Sequence, residues 1–372
     1  MKISLAALLS TASIAAAAHA HVSRCTQNDT LGLLSLHKGL VSIPSLTGNE
    51  SAATSYLASY LSSKNFTVEL QQVADGRHNI YAYTGSSRNA RTLLTSHMDT
   101  VSPYIPYGIT SNGTITGRGS NDAKGSIAAQ VVALEQLLAD GSVDDGDVAL
   151  LYVVGEEVDG AGMKAANDLG LSWEAIVFGE PTELNLAVGH KGALAVKLEA
   201  FGKAAHSGYP QLGVDANKAL ITALYGLEGV ELPASTLLGN STLNYGLVRG
   251  GTAANVVSPY ANASIAVRLA VDAETIKEQL DGYFGGVSGV NWSYSGFFYD
   301  PVVLDSDVEG FETAVMSYGT DIPHLKGDHK KYLYGPGSIT TAHSDHEFVM
   351  VSDLEEAVEG YKKLVLHSLN GN

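Results

Sequence analysis

Three apolar runs of strand length, each stopping at an acid or an imidazole, constrain this chain more than any other feature. They are Leu93-Leu94-Thr95-Ser96-His97-Met98-Asp99, Leu150-Leu151-Tyr152-Val153-Val154-Gly155-Glu156-Glu157 and Ile176-Val177-Phe178-Gly179-Glu180-Pro181. A run that is apolar at nearly every position is buried on both faces, which suits a parallel sheet covered by helices. Between and before these runs, residues 30–40, 51–61 and 126–138 repeat apolar side chains at helical spacing, and 66–73 and 79–83 read as further strands. The expected class is therefore α/β, a mostly parallel, helix-covered sheet. In open sheets of this kind ligands lie beyond the carboxyl ends of the strands, where the terminal polar groups would converge.

From about Lys191 the pattern changes. Residues 194–201 alternate, 216–227 read as a helix, 241–249 and 261–271 as strands, 273–284 as a helix and 290–298 as a last strand. The order β-α-β-β-α-β predicts an inserted α+β, ferredoxin-like unit over 191–299. The surrounding segments, 21–190 and 300–372, would form one discontinuous catalytic domain. Within the second of these, residues 308–318 are expected to be helical, the Gly335-Pro336-Gly337 segment a turn, and 354–369 a closing helix.

Lys2 followed by an apolar run and the small-residue site Ala18-His19-Ala20 reads as a secretory signal peptide over 1–20, so the expected location is extracellular. Seven Asn-X-Ser/Thr sequons, at Asn28, Asn49, Asn65, Asn112, Asn240, Asn262 and Asn291, agree with a glycosylating export route. Cys25 is the single cysteine, so stability must come from an ordinary core and not from an intrachain disulfide. A formal net charge of −17, with no basic cluster, argues against nucleic acid as a partner. No later run is long and apolar enough to span a membrane.

Two more residues join the strand-end set. Asp122 stands in Gly117-Arg118-Gly119-Ser120-Asn121-Asp122-Ala123-Lys124-Gly125 at a helix entrance, and His343 in Ala342-His343-Ser344-Asp345-His346-Glu347. Carboxylates brought this close repel one another unless cations lie between them. His and carboxylate donors suit divalent ions, zinc first. His97 and Asp99, two apart on an extended chain, point the same way, so Asp99 is expected to accept the second ring N–H of His97.

In this order the motifs resemble the M20 metallopeptidases, a group that includes glutamate carboxypeptidase, acetylornithine deacetylase, succinyl-diaminopimelate desuccinylase and aminoacylase. The likeness runs from Ile43-Pro44-Ser45-Leu46-Thr47-Gly48-Asn49-Glu50 to the His343 segment and suggests a secreted carboxypeptidase-like member of fungal type. It implies two zinc ions, with cobalt or manganese as substitutes. His97 and Glu180 would hold one ion, Glu157 and His343 the other, and Asp122 would bridge them. Glu156 would be the general base, and Asp99 a further catalytic residue. The Asp122–Ala123 peptide would be cis.

The inserted unit carries its own resemblance. His206, in Gly202-Lys203-Ala204-Ala205-His206-Ser207-Gly208-Tyr209-Pro210, matches the residue that stabilises the oxyanion. Asn255, in Gly250-Gly251-Thr252-Ala253-Ala254-Asn255, and Arg268, in Ala266-Val267-Arg268-Leu269, match residues that hold the substrate and its carboxylate. Gly337 completes the expected substrate-binding set.

The implied substrate is a small peptide or N-acyl amino acid, and the implied assembly a homodimer through the inserted unit. His324, His329 and His346 read as surface residues or as supports behind the ligands. The segment Ser317-Tyr318-Gly319-Thr320-Asp321 is shorter than its counterpart in relatives. Two other readings compete: an M28-type aminopeptidase, which would not carry the insertion, and a silent binding protein on the same fold.

Overall fold

The structure is a computed structural model that describes residues 27–296 and 298–371. The leader read at 1–20, Cys25 and the Asn28 side chain lie outside the described residues. A six-stranded sheet forms the centre, in the order Thr67–Ala74, Arg77–Tyr83, Val148–Val153, Thr92–His97, Ala175–Gly179, Lys330–Tyr334. The last four run parallel, and Arg77–Tyr83 is antiparallel to both its neighbours.

The three apolar runs are the inner strands of this sheet, buried at every position. Because side chains alternate across a strand, Leu94, Leu150 and Val177 enter one core and Leu93, Leu151 and Ile176 the other. The first core is closed by the helices Gln27–Val41, Ser51–Ser63, Lys124–Ala139 and Val351–Leu369. The second is closed by the short helix Ala161–Ala166 and a three-stranded sheet of Val302–Val303, Leu186–His190 and Thr313–Met316.

Residues 308–318 are not the helix that the sequence suggests. Gly310 takes φ +83, and Thr313–Met316 instead pairs in parallel with Leu186–His190. The segment is long enough for a helix, but an available strand edge satisfies its backbone at once.

A second sheet, with the order Thr242–Gly250, Tyr260–Leu269, Gly192–Phe201, Val290–Tyr294, is antiparallel throughout. Leu194, Val196, Leu198 and Ala200 point to one face, where Ala216–Leu227 and Ala273–Phe284 pack to form a separate core with Leu220, Ile265, Ile276 and Phe284. Both helices start on aspartate caps, Asp215 accepting from the amides of Asn217 and Lys218 and Asp272 from that of Thr275. The final strand ends at Tyr294, short of the expected 298, and Tyr299 returns to bridge Ala193. Thr242–Gly250 is an open edge on which Leu247 and Val248 are exposed, and the adjacent helix leaves Ile221 63% and Tyr225 82% exposed. Among the described residues no helix is long and apolar enough to cross a membrane.

Candidate active site and metal centre

The carboxyl ends of the inner strands do converge. His97 closes its strand, Glu156 and Glu157 follow Val148–Val153 after a turn at Gly155 (φ +85), and Glu180 follows Ala175–Gly179. Asp122 arrives two residues before the Lys124–Ala139 helix, with the Asp122–Ala123 peptide cis. His343 comes from the C-terminal loop with φ +62.

Asp122 stands at the middle of the cluster. Its Oδ1 is 3.0 Å from His97 Nε2, and its Oδ2 is 3.2 Å from His343 Nε2. His97 Nε2 lies 3.8 Å from Glu180 Oε2, and His343 Nε2 lies 2.9 Å from Glu157 Oε2. Two donors on one tetrahedral zinc, with bonds near 2.1 Å, stand about 3.4 Å apart. The observed spacings scatter around that value, so the donor set fits divalent ions in both halves. Ligand atoms of His97, Asp122 and Glu157 all lie within 4.8 Å of one another.

The electrostatics follow from burial and from these pairs. Burial alone would raise Asp122, but hydrogen bonds from His343 and His97 and their charge hold its carboxyl well below the usual range. Asp122 and Glu157 together push His343 up to about 10. Burial raises Glu180 to about 7 and also raises Glu157. Glu156 is raised well above an ordinary carboxylate by burial, against the pull of His97 and with the added repulsion of Glu180, Asp321 and Glu157. This is a site that gains from positive charge placed between its acids.

Asp99 departs from its expected role. His97 Nδ1 is 3.0 Å from the Asp99 backbone carbonyl and 3.7 Å from its carboxylate. The carboxylate is taken up elsewhere: Oδ1 accepts from the amides of Gly155 (2.8 Å) and Glu156 (3.1 Å), and Oδ2 from the amide of Glu157 (3.3 Å) and the Thr47 hydroxyl (2.7 Å). Asp99 therefore fixes the turn that presents both glutamates. Three consecutive peptide donors outcompete a single ring N–H, which the nearer carbonyl already satisfies.

A cleft of about 210 Å³ opens over the cluster, lined by Asp122, Glu156, Glu157, Glu180, Arg268 and His343 together with Tyr299, Tyr318, Asp321 and His324. Arg268 thus reaches the site from the second sheet, as expected. His206 and Asn255 do not line this cleft. They are exposed beside each other on the inserted unit, where Ser207 donates to the Asn255 carbonyl at 3.0 Å. Gly337 is also outside it. Its φ of +77 serves a turn packed against Asn121, whose Oδ1 a Cβ at this position would meet at 2.0 Å.

His324 is half-buried and lines the cleft beside Asp321. His346 is exposed and pairs with Asp345, and His329 is buried away from the cleft. A larger groove of about 780 Å³, between Glu183, Phe311 and Glu359, contains no histidine and none of the strand-end acids.

Sequence reasoning did not single out Asp321, Tyr299 or Glu347. Asp321 is buried, neither of its oxygens has a hydrogen-bond partner among the described residues, and burial pushes it up to about 8. Its adjacency to Thr320 in the shortened segment was the available signal. Tyr299 comes from a loop with no pattern to mark it.

An acid- and imidazole-lined cleft at the strand ends of an α/β sheet, roofed by an arginine from a second sheet, defines a metal-dependent hydrolase. Comparison with known proteins agrees. Residues 188–285 match the model of the peptidase dimerisation domain of M20 proteins. A peptidase M20 domain-containing protein of Schizosaccharomyces pombe is 47% identical over 346 residues, covering 91% of this chain and 85% of its own. A probable carboxypeptidase of Emericella nidulans is 43% identical over 400 residues, covering 94% and 93%. The crystal structure of an M20 family metallo-carboxypeptidase from Sulfolobus solfataricus shares the fold, with a TM-score of 0.71 at 18% identity over 91% of this chain and 99% of its own. This chain belongs to the M20 family of metallopeptidases. Membership sets aside the M28-type aminopeptidase.

Proposed function

We propose that this chain is a secreted two-zinc hydrolase that cleaves an amide bond beside a free carboxylate, acting as a carboxypeptidase or an N-acyl-amino-acid deacylase. The observation that carries the reading is Asp122 turning one oxygen to each histidine, which supports a shared ligand between two ions. His97 and Glu180 would hold the first ion, Glu157 and His343 the second. When bound, such ions supply Lewis-acid polarisation of the scissile carbonyl and acidify an attacking water.

Glu156 takes the proton of that water and delivers it to the leaving amine. Glu156 lines the cleft without belonging to either pair of ion-holding residues, so its carboxylate stays free to hold the proton until the amine accepts it. Arg268 offers a planar pair of donors to the substrate carboxylate. Asp99 keeps Glu156 and Glu157 at a fixed separation by holding their amides.

His206 and Asn255 would serve the cleft of a second copy. The exposure of both, the open strand edge and the apolar Ile221 and Tyr225 support a homodimer through the inserted unit. The leader and the exposed sequons Asn49, Asn65, Asn112, Asn240 and Asn291 support export with glycosylation, whereas Asn262 is half-buried in a strand.

The test is turnover with zinc or cobalt against N-acyl amino acids and free-carboxylate dipeptides. Activity is expected, and Glu156→Gln should lower kcat by roughly 10²–10⁴-fold with metal content intact. A wild-type enzyme that binds two ions yet turns over none of these substrates would refute the proposal.

A further inference from the structure

The proposed centre depends on two segments far apart in sequence, 114–122 and 338–350, meeting at a fixed distance. His343 receives little help from packing, since its side chain is 54% exposed. Its position rests on the loop that carries it, and the Asp122 segment grips that loop at both ends. At the first end, buried Asn121 donates from Nδ2 to the Ser338 carbonyl at 2.6 Å and to Thr341 Oγ1 at 3.3 Å. At the second end stands Glu347, four residues after His343 and 1% exposed.

The Glu347 carboxylate is fully used. Oε1 accepts from the amides of Asn121 (3.1 Å) and Asp122 (3.2 Å), and Oε2 accepts from Arg118 Nη1 at 2.6 Å. Arg118, itself 2% exposed, also donates from Nε to the Pro103 carbonyl at 3.2 Å. Immediately after Glu347, Phe348–Met350 pairs antiparallel with Thr114–Thr116, so the ladder and the carboxylate act on the same junction.

We infer that Glu347 is a positioning residue of the metal centre: it holds the peptide of Asp122 against the loop of His343 and so sets the gap that an ion between them must fit. The inference rests on the two-ion reading above. An ion pair that served only to fill the interior would have no need to spend one oxygen on the backbone of the bridging aspartate. The amide contacts, more than the charge, are what the centre requires, since groups that orient a ligand contribute about 10–100-fold to metal affinity.

Two charge-balanced variants separate these roles. Arg118→Met with Glu347→Gln removes the ion pair but keeps an oxygen facing the Asn121 and Asp122 amides. Arg118→Met with Glu347→Leu removes that acceptor as well. Zinc affinity of each is measured by chelator competition, alongside the melting temperature of the metal-free protein.

The Gln variant should bind zinc within about threefold of wild type, and the Leu variant should lose about tenfold or more, chiefly in the more weakly held ion. Equal affinities in two folded variants would overturn the inference. Should the Leu variant not fold, Glu347→Asp, which keeps the charge and draws the carboxylate back from the amides, must show the same loss, and unchanged affinity would overturn it. A wild-type protein that takes up no zinc would instead sink the two-ion reading itself.

Discussion

Replacing Asp99 by Asn tests whether the carboxylate holds the glutamate turn or merely orients His97. The substitution keeps the shape and one acceptor oxygen. If that oxygen stays with Gly155 and Glu156, the new amide group faces the Thr47 hydroxyl, which can accept, and the Glu157 N–H, which cannot. One half-buried amide is then left without its carboxylate partner, at about 1 kcal/mol. The two remaining peptide bonds change from charged to neutral acceptors, each weaker by about 1 kcal/mol. The sum is about 3 kcal/mol of folding stability, measured by urea unfolding of the metal-free protein. Thr47→Val, which touches the same carboxylate and leaves His97 untouched, should lower stability by about 1 kcal/mol. A loss under 1 kcal/mol for Asp99→Asn, with none for Thr47→Val, would refute the clamp.

Further outcomes are expected. Arg268→Ala should lower kcat/KM by at least about 2 kcal/mol in apparent binding for substrates with a free carboxylate and leave their amidated analogues nearly unchanged; equal losses on both would remove its assignment. His37 and His190 are fully buried, and burial depresses each to about 4. A depressed pKa means that the folded state favours the neutral ring, so the stability contribution is present above the unfolded value near 6.5 and is lost as pH falls toward 4. Between pH 7 and pH 5 wild type should therefore lose about 2 kcal/mol relative to His37→Phe in urea titrations, and a pH-independent difference would contradict this. Tyr225→Asp, which places a charge on the apolar face beside the open strand edge, should shift sedimentation from dimer to monomer without changing the circular dichroism of the chain. An unchanged sedimentation coefficient would refute the proposed dimer through this face.

The sequence by itself determined the periodic elements and the chemistry they end on. Continuous apolar runs such as Val148–Val153 can be buried only between two covered faces, and the alternation of Leu194, Val196 and Leu198 allows only a sheet with one face in a core. His97, Glu157 and Glu180 were legible because each closes or follows a buried strand, and Asp122 and His343 joined them through the resemblance to the M20 motifs.

What the tertiary structure alone decided are choices among competing partners. Asp99 could have served the His97 ring, yet three adjacent amides outbid it. Residues 308–318 could have coiled, yet a waiting strand edge drew Thr313–Met316 into a sheet. Glu347 and Asn121 carry no local signal, because their partners lie more than two hundred residues away in the chain. Hydrogen bonding depends on distance and direction in space, and only the folded chain sets those for groups so far separated along it.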